Sequence, residues 1–271
     1  MYLKNYRNKR ENSMSKKKQK KKSYIWLIIV VALILCAGGY YYYNNYAFKQ
    51  LPEIKKLIDD KKKKGYSDKD DNKIDVSTYV NTLPQERINY NNNDIVARLQ
   101  VPNLGIDSLV TRASNNEYYL NYNLYRQYDE LGVPFIDYRN TSLSTNQQIN
   151  IYGHNTPNPQ YYDQLPFINL EAYVDKGIFD NYKDVYLSID ERQIHYEVIA
   201  IKIVTDADNE HMKVVFYGEQ DFLSHTGKLL SNTLFKNDQL EITSEDHLLV
   251  LQVCHYNPAN SYLLVICKEK E

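Results

Sequence analysis

Leu249-Val250-Leu251-Gln252-Val253-Cys254 and Ile149-Asn150-Ile151-Tyr152-Gly153-His154-Asn155 are the two stretches on which the fold turns. Each is a short apolar run rich in β-branched residues, the composition of a buried strand. Each ends by delivering one reactive side chain. The first presents a thiol at its exit; the second presents an imidazole just after a glycine, which lets neighbouring backbone come close. A strand end is a rigid mount, so a side chain there can be aimed into a cleft. Taken alone, neither motif defines a site.

Outward from these two, the same texture recurs from about residue 94. Ile95-Val96-Ala97-Arg98-Leu99-Gln100-Val101 stops at Pro102-Asn103, and Ser108-Leu109-Val110 and Val133-Pro134-Phe135-Ile136 follow. Val185-Tyr186-Leu187-Ser188-Ile189, then Ile194 onward to Val204, and finally Tyr262-Leu263-Leu264-Val265-Ile266 complete the set. Several such runs with short connections predict a mainly β, antiparallel, barrel-like domain over 94–271. Helices are expected only at 116–122, 163–174 and 220–231. If the cysteine strand and the Tyr262 strand form a hairpin through residues 255–261, Tyr262 lies opposite Cys254. Cys267 then pairs near Leu249, roughly 17 Å from Cys254 at strand spacing, so the two thiols cannot form a disulfide.

The N-terminal part has a different character. Of 33 basic and 34 acidic residues, ten basic and one acidic fall within residues 1–22, leaving a body with 23 basic against 33 acidic. That acidic body argues against nucleic acid as a partner, since phosphate binding needs a positive footprint. About 20 uncharged residues follow the basic run, enough for a helix to cross a hydrocarbon core. Trp26 and the tyrosines 40–43 flank that span as interfacial aromatics do. Residues 1–22 are thus read as a cytoplasmic tail and 23–45 as a transmembrane signal-anchor. Residues 46–93 are read as a helical, charged linker and N-terminal extension. A cleaved signal peptide is the competing reading, with Ala37-Gly38-Gly39 as an imperfect cleavage site. Either way the body lies outside the cytoplasm, and the anchored form places the chain in the cell membrane as a single-pass protein.

Cysteine usage agrees with export and with chemistry. Only Cys254 and Cys267 lie in the body, too few for a disulfide framework. A thiol nucleophile needs an acid or base brought from elsewhere in the fold, and His154 is the candidate. No nucleotide-binding glycine loop or paired-cysteine spacing occurs, so neither a cofactor nor a metal is expected. His195 lies inside a strand pattern; His211 and His225, in the stretch before the cysteine strand, are read as solvated.

Tyr152-Gly153-His154-Asn155 paired with a late strand-borne Cys254, behind a signal-anchor, resembles the sortase family. Gly132-Val133-Pro134-Phe135-Ile136-Asp137-Tyr138-Arg139-Asn140 and a helix-containing insertion at about 206–238 are similar to class B sortases. The resemblance spans residues 94–268 and implies an eight-stranded sortase β-barrel. It further implies a cysteine transpeptidase that cleaves a C-terminal sorting signal of an exported protein after Thr. The acyl group would pass to a peptidoglycan precursor amine or, in a pilin polymerase, to a pilin lysine. Cys254 would be the nucleophile and His154 the general acid/base, with Val253, Asn155, Phe222 and Leu223 as substrate-binding candidates. Two positions depart from the pattern. Val253 stands where sortases usually carry Thr, and no Arg opens the strand after the cysteine. Tyr262 occupies that arginine's place. A catalytically weak, sortase-fold binding or scaffold protein is the rival that this second departure motivates.

Overall fold

The computed structural model describes residues 81–156, 158–190, 192–205 and 210–270, so the predicted tail, the anchor and most of the linker lie outside the described residues. Among those described, no helix is long and apolar enough to cross a membrane. Nine strands of the described residues form one sheet. They are β1 (Ile95–Val101), β2 (Ile106–Thr111), β3 (Phe135–Ile136), β4 (Gln148–Gly153) and β5 (Asp184–Ile189), then β6 (Arg192–Thr205), β7 (Phe235–Lys236), β8 (Leu248–His255) and β9 (Ser261–Glu269). Their order is β5-β1-β2-β3-β4-β8-β9-β6-β7, and β5 also pairs with β6. That extra pairing closes eight strands into a barrel and leaves β7 as a short flap on β6. The expected eight-stranded barrel is what forms.

The expectation of an antiparallel sheet is corrected at two places. β2 runs parallel to β3, and β4 runs parallel to β8 over its whole length. Parallel neighbours need a long crossover, and the chain between β4 and β8 supplies one. Strand composition carries no sign of direction, so the runs themselves do not disclose it. It is the feature that builds the site.

Alternation along the strands sorts the core into two layers. Ala97, Leu99, Val101, Ile149, Ile151, Leu249, Leu251, Val253, Leu263, Val265 and Cys267 belong to the cluster shared by the barrel strands. Leu248, Val250, Leu264 and Ile266 point the other way and are covered by helix α3 (Glu219–Leu229). Being buried on both faces is why β8 reads as a continuous apolar run. Helix α2 (Lys176–Asn181) is short and capped by Asp175, whose carboxylate accepts from the backbone N–H groups of Gly177 and Ile178. Helix α1 (Leu83–Tyr90) falls in the stretch read as the N-terminal extension, yet it belongs to the domain. Leu83 is buried, and the Arg87 guanidinium donates to the Ile95 carbonyl at 2.7 Å. Residues 116–122 and 163–174 form 3-10 turns, at Tyr118–Leu120, Pro159–Gln164 and Pro166–Val174.

Candidate active site

The parallel register of β4 on β8 runs from Gln148↔Leu248 to Gly153↔Val253. The next residues, His154 just past β4 and Cys254 still paired to β9, therefore come side by side at the same end of the sheet. β8 pairs antiparallel with β9 so that Cys254 faces Tyr262 and Leu249 faces Cys267, as the hairpin reading required. His154, Cys254, Tyr262, Val253, Leu120 and Met212 are among the residues lining one cavity of about 250 Å³. Neither thiol is in a disulfide; Cys254 is half-buried and Cys267 is enclosed.

Local sequence explains how the histidine is held. A side-chain carbon at Gly153 would overlap the Phe167 ring, so glycine alone lets the strand end settle against the Pro166–Val174 turn. The His154 ring donates from Nε2 to the Leu120 carbonyl at 2.7 Å. A carbonyl only accepts, so Nε2 carries a hydrogen, and Nδ1 is the ring nitrogen left to exchange a proton. Leu120 closes the Tyr118–Leu120 turn, whose Tyr119 carbonyl accepts from Val133 N–H at 3.1 Å. Gly132 sits at φ +53°, and any side chain there would strike the carbonyls of Tyr119 and Leu120. The Gly132-Val133 segment thus braces the turn that orients the imidazole.

A second brace centres on Asp137, which is fully buried. It accepts from the Arg139 guanidinium at 2.7 and 2.8 Å, the Tyr152 hydroxyl at 2.8 Å and the Asn116 amide at 3.0 Å. Burial alone would raise its pKa, but these donors outweigh it and hold the carboxyl below the usual range. Arg139 also donates to the Met212 carbonyl at 2.6 Å. That bond fastens the insertion to the barrel where Met212 borders the cavity. Gln148 and Asn150 add to the attachment, each donating to the His211 carbonyl, at 3.3 and 2.9 Å.

The remaining predicted residues fall into place with corrections. Val253 is a core residue whose backbone position also borders the cavity. Asn155 is buried, and its amide donates at 2.8 Å both to the Cys254 carbonyl and to Glu171. Its side chain is therefore engaged within the fold instead of being offered to a substrate. Phe222 has no exposed surface and packs α3 onto β6, β8 and β9, and neither it nor Leu223 borders the cavity. The place of Phe222 reflects helix packing rather than a substrate wall. His211 and His225 are buried, contrary to the solvated reading. His225 bonds Gln148 Oε1 at 2.8 Å, and burial holds its pKa below the ordinary value against the pull of Glu210. Leu120, Asn116, Asp137, Met212 and Glu171 were missed as contributors. The run containing Gly132, Asp137 and Arg139 carried a family signal, but the other contributors carried none. Among the described residues no cluster of ligating side chains could hold a metal ion.

A closed eight-stranded barrel with a histidine and a cysteine at the ends of adjacent parallel strands, over one cavity, defines a sortase-fold protein. No protein-family model matches the chain. It is similar to sortase B of Staphylococcus aureus, 22% identical over 179 residues, covering 65% of this chain and 70% of that protein. It is also similar to sortase B of Listeria monocytogenes, 26% identical over 164 residues, covering 60% of this chain and 63% of that protein. The crystal structure of Clostridium perfringens sortase B superposes with a TM-score of 0.63 at 25% identity, covering 69% of this chain and 99% of that one. These likenesses in sequence and fold support a sortase-family, class B-like protein.

Proposed function

We propose that this protein is a membrane-anchored cysteine transpeptidase that cleaves a C-terminal sorting signal after a threonine. The acyl group then passes to an amine of a cell-wall precursor. The observation that carries this reading is the β4–β8 register, which sets His154 beside Cys254 over a cavity that Tyr262 also borders.

Cys254 thiolate attacks the scissile carbonyl. The amide C–N bond breaks, a thioacyl bond forms, and protonated His154 gives its proton to the departing amine. An incoming amine then attacks the thioester. The C–S bond breaks, the product amide forms, and the amine's proton returns to the imidazole. The developing oxyanion needs a donor, and Tyr262 takes that role in place of the guanidinium. The half-buried position of Cys254 limits water, which favours an amine acceptor over hydrolysis.

The test is covalent labelling of the full chain by a sorting-signal peptide carrying a thiol-reactive carbonyl in place of the scissile amide. Labelling confined to Cys254 and lost in Cys254→Ala is the expected result; no labelling with any sorting-type peptide defeats the reading. A weak or inactive binding protein is the second reading, favoured because an uncharged tyrosine faces Cys254. Inert wild type together with peptide binding retained in a titration would select it. The same assay with a pilin lysine peptide as acceptor separates polymerisation from wall attachment. Anchoring through residues 23–45 predicts that protease treatment of wall-stripped cells removes the body and spares the tail. Recovery of only a shortened, secreted form defeats that part.

A further inference from the structure

Asn155 and His255 each directly follow a residue of the reacting pair, and both bind one buried carboxylate. His255 Nδ1 lies 3.0 and 2.9 Å from the two Glu171 oxygens. The Asn155 amide lies 2.8 Å from Glu171 Oε1 and 2.8 Å from the Cys254 carbonyl. The Tyr256 hydroxyl donates to the Asn155 carbonyl at 2.9 Å. We infer that Glu171 is a positioning residue of the reaction, closing a ring through Asn155 and His255 that fixes the backbone after His154 against the backbone after Cys254. The inference rests on the transpeptidase reading.

Three features favour positioning over mere stability. The β4–β8 ladder ends at Gly153↔Val253, so the strand hydrogen bonds stop just short of the two reacting residues. The ring takes over where the ladder ends. Glu171 comes from a third element, the Pro166–Val174 turn, which Gly153 also touches through Phe167. A buried ion pair is a poor way to gain stability, because desolvating both partners offsets their attraction. Side chains of both partners are under one-tenth exposed, at 9% and 7%. An apolar pair would pack the same space; the charged ring instead fixes direction and distance. In sequence Glu171 lies 16 positions from Asn155 and 84 from His255, and the three share no motif, so only the fold reveals them.

The test uses the full chain in mild detergent with four variants: Asn155→Ala, Glu171→Ala, their double, and Glu171→Gln. In Glu171→Gln the remaining carbonyl oxygen still accepts from Asn155, and the new amide can donate to Nδ1 of neutral His255. That variant therefore keeps the ring without its charge. A misplacement of the reacting atoms by about 1 Å costs on the order of a hundredfold. Each alanine variant should lower kcat for sorting-peptide cleavage by roughly 10- to 100-fold while KM stays within about threefold. The double variant should be no worse than the poorer single, since the residues act as one unit. Glu171→Gln should stay near wild type. Alkylation of Cys254 by iodoacetamide gives a second readout that needs no peptide, and it should slow in the same order. If wild type cleaves no sorting peptide, the functional reading fails while the alkylation series still decides the positioning claim. Folded Asn155→Ala with unchanged rates overturns it. So does a double variant whose loss is the product of the singles, or a Glu171→Gln form as poor as Glu171→Ala.

Discussion

Cys254 and Cys267 sit on one hairpin, yet the molecule treats them in opposite ways. Cys254 is near the exit of β8, half-buried over a cavity. Cys267 lies on β9 opposite Leu249, fully buried in the barrel core. Burial pushes the Cys267 thiol far above its ordinary pKa, so it stays protonated and inert. Position along the strand, not residue type, decides whether a thiol packs or reacts. The middle of the closed barrel surrounds Cys267 with tightly packed core side chains, Tyr173 and Tyr196 among them. The strand end meets turns, a second strand end and solvent.

The sharpest way to break this contrast is to remove each thiol in turn. Cys254→Ala should abolish transpeptidation while leaving the melting temperature close to wild type, because the side chain borders a cavity. Cys267→Ala should do the reverse. Loss of its buried sulfur should destabilise the domain by about 1–3 kcal/mol with activity per folded molecule largely intact. Steady-state kinetics and thermal melts on the two purified variants make the comparison. Equal loss of activity in both, with folding preserved, means that the wrong thiol has been assigned.

The next effect belongs to Tyr262, the residue across the hairpin from Cys254. Tyr262→Phe removes one hydroxyl and keeps the ring. Loss of a single oxyanion donor costs about 10²–10³-fold in turnover, whereas stability should hardly move. Tyr262→Arg should equal or exceed wild type. Single-turnover cleavage of a sorting peptide measures all three side by side. A Phe form as fast as wild type removes Tyr262 from the mechanism.

Much of the contrast between the two thiols is legible in the amino-acid sequence. Hydrophobic alternation marks the barrel strands, and hairpin geometry yields both Cys254↔Tyr262 and Leu249↔Cys267, because register follows from loop length and a two-residue period. What stays hidden has a physical cause in each case. The parallel pairing of β4 with β8 leaves no mark on composition, since both orientations bury the same side chains. Phe222 looks available because a helix has one apolar stripe whether it binds a peptide or packs on a barrel. Glu171 gives no signal because it and its two partners sit on three separate elements. His211 and His225 look solvated in a polar stretch. They are buried because β4 turns Gln148 and Asn150 toward the insertion and offers it hydrogen bonds.

The smallest expected effect sharpens the contrast between the hairpin's two ends. Around Cys267 the barrel is a packed core, while beside Cys254 it holds the His255–Glu171 pair. Burial disfavours the His255 imidazolium, but the hydrogen bonds and charge of Glu171 outweigh it, so its pKa stands above the ordinary histidine value. A histidine whose folded pKa is raised adds stability that is fully present below its unfolded pKa, near 6.5, and lost as pH rises through the folded value. His225 works against this. Its pKa is lowered by burial, so its contribution is lost as pH falls. Wild-type melting temperature alone therefore mixes two opposing trends. The difference between wild type and Glu171→Gln cancels the His225 part, because that residue is common to both. Thermal melts from about pH 6 to 9 should show wild type ahead by a few degrees at the acid end, with the gap closing as pH rises. Across the same window Cys267→Ala should run parallel to wild type, since Cys267 bears no charge there. A gap that widens with pH would mean that His255 is neutral in the fold, and the pair beside Cys254 would then be a carboxylate held by neutral donors.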